Sequence, residues 1–270
     1  MSAGGLTRVC ASGGGEEALC VARRLEERAL NASGAFQSLV YDGWLLGYRP
    51  GPTKRLRCVN PFYPSRLPVA EKVAWCSAFY AAANLPLLFR LLPFSEPASL
   101  DGWLEQDGWV SFERTLVQQA TLADISTPAL PHDSAEIIDA LAWVDLTARL
   151  LDADEEALLR IRERTAGFPL PQAGVLIRRD GEVVACGLLK LEGEYAGLFA
   201  VHTAEGWRGR GLGRAVVGAL LGEARRRGAR IAYLQVTAEN APALALYAHF
   251  GFAHAYDYWY RGRAADHRPR

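Results

Sequence analysis

The sequence carries no net charge: 30 Lys and Arg balance 30 Asp and Glu over 270 residues. The basic residues are spread along the chain, and no basic stripe marks a nucleic-acid binder. The short run Arg225-Arg226-Arg227 closes a helical pattern, where cations suit the carboxyl end of a helix dipole. Cysteine is sparse. Its five positions, Cys10, Cys20, Cys58, Cys76 and Cys186, are odd in number and scattered, with no C-x-x-C pair, which argues against a zinc site or a disulfide framework. No stretch approaches the roughly 20 apolar residues that a membrane span requires. Met1 to Gly15 lacks the basic-then-apolar order of a secretion signal and reads as a flexible tail rich in Gly, Ser and Ala. These absences set the expectation of a reduced, cytoplasmic, soluble protein with no bound metal.

What is present is apolar residue, half of the chain, which is ample for a core. Periodicity predicts helices over 16–31, 69–83 and 100–106, and strands over 37–48, 54–59, 86–92 and 109–119. Leu122 to Asp133, with Pro128 and Pro131, has no sustained period and reads as a linker. Beyond it, Asp133 with Glu136 and Asp152 with Glu155 have the spacing of helix caps, which predicts a helix over 137–151 and its continuation over 156–163. Strands follow at 174–179, 183–191 and 196–203, the first two joined by the hairpin signal Asp180-Gly181. A Gly-rich loop, a helix, a strand at 231–236, a short helix at 242–250 and a strand at 252–261 complete the chain. The expected organisation is a tail (1–15), an N-terminal domain (16–133) and a C-terminal domain (134–270). The two halves rhyme weakly, strand–helix–Gly-aromatic–strand, but the first lacks a Gly-rich loop.

That loop, Arg208-Gly209-Arg210-Gly211-Leu212-Gly213, carries the chemistry. It follows a strand and opens a helix with an apolar face of Leu212, Val216, Val217, Leu220 and Leu221. A helix start leaves backbone N–H groups unpaired and partly positive, and glycines let a bulky anion reach them. The dinucleotide fingerprint G-x-G-x-x-G is absent, since the spacing here is G-x-G-x-G with Arg214 in place of the last Gly. The Gly-Lys-Ser/Thr ending of an ATP-type loop is absent too.

Arg208-x-x-Gly211-x-Gly213 resembles the acetyl-CoA pyrophosphate loop of the GNAT superfamily of N-acyltransferases. The later Asn240, Tyr247 and Gly251-Phe252 stand in the order and spacing of that family, over about residues 170–262. The whole chain also resembles tandem GNAT proteins, whose degenerate N-terminal copy would match Asp42-Gly43-Trp44-Leu45-Leu46 and the segments after it. The resemblance implies an α/β (α+β) fold of two GNAT-like halves, with a mixed, mostly antiparallel sheet flanked by helices. It implies acetyl-CoA as cosubstrate, a small-molecule amine as acceptor, and direct transfer in a ternary complex by a monomer or homodimer.

The same resemblance assigns roles. Val201 and Thr203, on a splayed strand, would hold the pantetheine through backbone N–H groups, with Arg208 to Gly213 on the phosphates. Tyr247 would protonate the leaving thiolate, or else be an ordinary helix-face aromatic; Asn240 would bind pantetheine, cap a helix, or both. The strand before the loop carries no carboxylate, which leaves the base open. His202 is the candidate there, against the commoner reading of a plain surface or core histidine. Asp42 and Trp44 are candidates for the acceptor amine, although Asp-Gly is also a plain turn and most aromatics are core. Two rival functions remain: a non-catalytic CoA-binding sensor, and an acetyltransferase for protein N-termini or lysines.

Overall fold

The computed structural model describes residues 14–34, 37–125 and 135–263. The tail's residues 1–13, the linker's 126–133 and the cap candidate Asp133 lie outside them. In chain order the elements are α1 (Gly14–Ser33), β1 (Ser38–Tyr41), β2 (Trp44–Gly47), β3 (Val59–Pro61), α2 (Val69–Ala82), β4 (Leu88–Leu91), α3 (Leu100–Gln106), β5 (Val110–Thr121) and β6 (Glu136–Ile138). There follow α4 (Ala140–Thr147), α5 (Glu155–Ala166), β7 (Gln172–Arg179), β8 (Glu182–Glu192), β9 (Tyr195–Thr203), α6 (Leu212–Arg226), β10 (Ile231–Thr237), α7 (Ala241–His249) and β11 (Ala253–Gly262). The chain is a mixed α/β protein, and its strands pair mostly antiparallel with helices flanking them. No helix among the described residues is long and apolar enough to cross a membrane.

By packing, the described residues form two units. The first holds 14–29, 37–114 and 255–263. Its strands run β1, β2, β3, β4, β11, with β3 and β4 parallel and the others antiparallel. The connection between β3 and β4 is α2, as a parallel pair requires. Trp44, Tyr80, Phe89 and Trp109 form its core with the aliphatics of β2, β4 and α3. Asp42 and Gly43 both have positive φ (40° and 84°), the geometry of a two-residue hairpin turn. The expected strand 37–48 is therefore a hairpin, β1–β2, folded at Asp42-Gly43. Its next partner is β3 at 59–61 and not 54–59, because Lys54–Leu56 winds into a single 3-10 turn.

The second unit holds 30–34, 115–125 and 135–254. Its strands run β5, β10, β9, β8, β7, β6, with β9 and β10 parallel and the rest antiparallel. The turn Asp180-Gly181 has φ of 52° and 82°, as expected for its hairpin. The helix expected from 137 starts three residues later. Ile137 and Ile138 pair with β7 instead, and Asp139 caps α4 by accepting from the N–H groups of Leu141 (2.8 Å) and Ala142 (3.2 Å). Likewise Asp154, and not Asp152, caps α5 through Ala157 N–H (2.7 Å). Cys58, Cys76 and Cys186 are free and buried, whereas Cys20 is disulfide-bonded, which the scattered spacing does not foretell.

The position of α6 matters most for the site. Val216, Val217, Leu220, Leu221 and Ala224 are buried along one side of it, each large side chain contributing about 1.5–3 kcal/mol. It lies close on β8 because Gly187 offers no side chain. A Cβ there would come within 2.7 Å of Val216 Cγ1 and 2.8 Å of Leu220 Cδ1. This packing fixes where the first turn of α6 points.

Candidate functional site

The second unit carries a cavity of about 470 Å³ at the start of α6. Three pieces of backbone build it: the end of β9, the loop at 207–213, and α7 with its cap Asn240. Most of the site residues expected from the sequence meet here. Val201, His202, Thr203, Arg208, Gly209 and Gly211 line the cavity, as do Leu212, Gly213, Asn240 and Tyr247.

The end of β9 is opened on one edge. β10 pairs with it only over Tyr195, Ala196 and Gly197, so the two parallel strands part beyond Gly197. On the other edge the register with β8 slips between Cys186 and Leu188, where β9 fits two residues, Ala200 and Val201, opposite one, Gly187. Ala200 takes a positive φ of 48° at this bulge. Ala204 N–H donates to Val184 C=O across the β8 edge (2.9 Å). Past the bulge, the alternation of a strand turns the backbone groups of His202 toward β8 and those of Thr203 away from it.

The loop begins with a 3-10 turn at Glu205–Trp207, from which Arg208 Nε returns to Thr203 C=O (3.3 Å). Gly209 and Gly211 have φ of 75° and 78°, conformations that an L side chain strains to adopt. A Cβ at either would meet no atom within 4 Å, so both face open space. Gly211 is the N-cap of α6 and offers no capping oxygen. The first intrahelical bond there runs from Ala215 N–H to Gly211 C=O (3.1 Å), which leaves the N–H groups of Leu212, Gly213 and Arg214 ahead of the ladder. Uncapped N–H groups, a helix dipole and Arg208 together make an anion cradle. The donors and the open space beside Gly209 and Gly211 suit a phosphate group.

Tyr247 is buried on α7 with its ring edge-on to Phe252, and burial pushes its phenol up to about 12. It is protonated at neutral pH, the state a proton donor needs. His202 is half-buried; burial first, and the charge of Arg208 second, hold its imidazole below the ordinary histidine value. It is neutral at pH 7 and able to accept a proton. Asn240 caps α7 by accepting from Ala243 N–H (3.2 Å), with Ala241 and Pro242 opening the helix. No carboxylate is among the residues lining the cavity.

Asp42 and Trp44 are not among the residues lining this cavity; they belong to the first unit. Trp44 is fully buried, its Nε1 donating to Glu96 C=O (3.0 Å) and Lys72 Nζ lying 3.7 Å above its ring. The carboxylate of Asp42 accepts from the N–H groups of Arg66 and Leu67 (both 3.0 Å) and pairs with Lys72 Nζ at 3.5 Å. Those partners hold it below the usual carboxylate range, the Leu67 N–H foremost. These contacts are those of the plain-turn alternative for Asp42 and the core alternative for Trp44.

Sequence reasoning missed Trp207 and Leu246, which also line the cavity. Trp207 packs against the core beside α6 and carries the Arg210 guanidinium 4.7 Å above its ring centre. Arg210 itself is exposed and stands outside the cavity lining. An aromatic directly before an Arg-Gly-Arg-Gly loop was the available signal.

Residues 136–252 match the acetyltransferase (GNAT) family. The chain is 24% identical over 243 residues to YobR, an uncharacterized N-acetyltransferase of Bacillus subtilis (strain 168), covering 88% of this chain and 97% of that one. Among solved structures, a GCN5-related N-acetyltransferase from Kribbella flavida superposes with a TM-score of 0.63 at 19% identity, over 92% of this chain and 95% of that one. A tandem GNAT protein from the clavulanic acid biosynthesis pathway superposes with a TM-score of 0.54 at 16% identity, over 74% of this chain and 75% of that one. Both structures share this fold.

Proposed function

Because this chain belongs to the GNAT family of acetyl-CoA-dependent N-acyltransferases, we propose that it moves an acetyl group from acetyl-CoA to the amine of a small molecule, directly within a ternary complex. The observation that carries the reading is the meeting of the open edge of β9, the uncapped start of α6 and the protonated Tyr247 around one cavity.

Each part has a task. Arg208 and the N–H groups of Gly209 to Gly213 bind the phosphates. The backbone N–H groups of Val201 and Thr203 receive the pantetheine and steady the oxyanion that forms when the amine attacks. Tyr247 gives its proton to the departing thiolate. His202, neutral at pH 7, takes the proton of the amine directly or through water. Direct transfer is supported by the lining itself, which contains no cysteine, lysine or serine to hold the acetyl group covalently. Cys186 is buried on β8 and its thiol is pushed up to about 12, far from a nucleophilic thiolate. The first unit is proposed to be a degenerate copy, since it repeats the strand–helix–strand crossover (β3–α2–β4) without glycine between β3 and α2.

The test is CoA release from acetyl-CoA with a panel of small amines, set beside mass spectrometry of a cell extract incubated with the enzyme. Turnover with at least one small amine supports the proposal. The lack of a carboxylate in the lining favours a second reading, a CoA-binding sensor. Acetyl-CoA binding without turnover on any amine would establish that reading in place of the first. A modified protein in the extract, with every small amine inert, would move the acceptor to the protein class.

A further inference from the structure

The loop holds two arginines beside its glycines, and they are placed differently. Arg208 lines the cavity and is tied back to Thr203 C=O. Arg210 lies outside the lining, exposed, with its guanidinium 4.7 Å over the ring of Trp207. An exposed arginine ordinarily samples many rotamers, and fixing it costs side-chain entropy. Here a platform limits that freedom. The backbone of Trp207 is pinned in its 3-10 turn by donation to Ala204 C=O (2.9 Å), and its ring is wedged against the α6 core. The ring is therefore rigid and the guanidinium rests on it.

The charge this arrangement holds is exposed and lies outside the cavity lining. The cradle is already supplied by Arg208 and the uncapped N–H groups. Coenzyme A carries one further phosphate beyond its diphosphate, on the 3′ position of the ribose. On the reading of this site as an acetyl-CoA site, we infer that Trp207 is a positioning residue that holds Arg210 for the ribose 3′-phosphate, so that the pair distinguishes acetyl-CoA from its 3′-dephospho form. Trp207 acts through Arg210, and its ring contributes nothing to the discrimination on its own.

The experiment is titration calorimetry of acetyl-CoA and of 3′-dephospho-acetyl-CoA into the full chain and three variants. An exposed charge pair is weak, so the wild type is expected to prefer acetyl-CoA by about two- to fivefold. Arg210→Ala removes that preference, so the ratio of the two affinities falls to one. Trp207→Ala also brings the ratio to one, and Trp207→Ala with Arg210→Ala gives the same ratio as either alone, because the two act as one unit in the discrimination. Trp207→Phe keeps a ring beneath the guanidinium and retains the preference. The preference also shrinks as salt is raised from 0.05 to about 0.5 M, as screening requires.

Three results would overturn the inference. Equal affinity of the wild type for both donors would remove the discrimination. A preference that survives Arg210→Ala would place it elsewhere. A Trp207→Ala variant that keeps the wild-type ratio of the two affinities would show that the ring does not hold Arg210 for this phosphate. A wild type that binds neither donor would instead sink the acetyl-CoA reading of the site, and this inference with it.

Discussion

Gly213, in the first turn of α6, lies so close to Leu246 on α7 that a Cβ on it would stand 3.3 Å from Leu246 Cδ1's partner methyl, Cδ2, and 3.9 Å from Thr203 Oγ1. The three glycines of the loop thus divide in function. Gly209 and Gly211 face open space, while Gly213 lets the helix that meets the phosphates approach the helix that carries Tyr247.

This contact gives the first prediction. Gly213→Val overpacks the junction and costs about 1–3 kcal/mol of stability. It also lowers kcat, because the displaced Leu246 is the neighbour of Tyr247. Adding Leu246→Ala makes room and recovers part of both losses. Chemical denaturation and steady-state kinetics of the two single variants and the double variant measure this. Strictly additive losses would show that the junction does not couple the two helices.

A second prediction concerns the proton given to the thiolate. Tyr247→Phe keeps the ring on Phe252 and removes the hydroxyl, so kcat falls by about a hundredfold or more while acetyl-CoA affinity holds. The phenol, pushed up to about 12, stays protonated through the assay range, and no fall in kcat below pH 10 comes from its ionisation. The acid limb of the wild-type profile belongs to His202 and lies below the ordinary histidine value. A kcat for Tyr247→Phe equal to that of the wild type would remove the acid role.

Much of this site was legible before the structure. The helix over 212–226 follows from its glycine start and its apolar stripe, both local signals, and the hairpin at Asp180-Gly181 likewise. What was not legible depends on partners distant in sequence. Ile137-Ile138 has no period of its own and becomes strand only because β7 lies beside it. Asp42-Gly43 was hidden inside an unbroken apolar run, although the dipeptide itself was a turn signal. The bulge at Ala200 is set by the register with β8, and the opening beyond Gly197 by where β10 stops pairing. Trp44 could not be told from a binding-site aromatic until its burial was known.

Lys190 on β8 provides a third prediction, about stability and pH. It is 5% exposed, donates to Ala32 C=O at the end of α1 (2.8 Å) and sits 4.2 Å from the ring centre of Phe168. Burial, with a smaller push from Arg164, lowers its ammonium to about 8. Between there and the ordinary lysine value of 10.5 the unfolded chain binds a proton that the folded chain does not. Stability therefore gains from this residue as pH rises through that window, and its buried charge is costly below pH 8. Lys190→Met removes the dependence. Denaturation at pH 7 and pH 9.5 tests it: the difference between wild type and variant must shift toward the wild type at the higher pH. A constant difference would contradict a depressed lysine.

The most direct test of the account is the affinity of the loop for acetyl-CoA. Gly211 has φ of 78° and nothing within 4 Å of an added Cβ, so Gly211→Trp has room for its side chain only where the phosphates are assigned. Titration calorimetry should show saturable binding of acetyl-CoA to the wild type and none to a folded Gly211→Trp variant. Equal affinity in the two proteins would contradict the assignment of the loop and, with it, the proposed site.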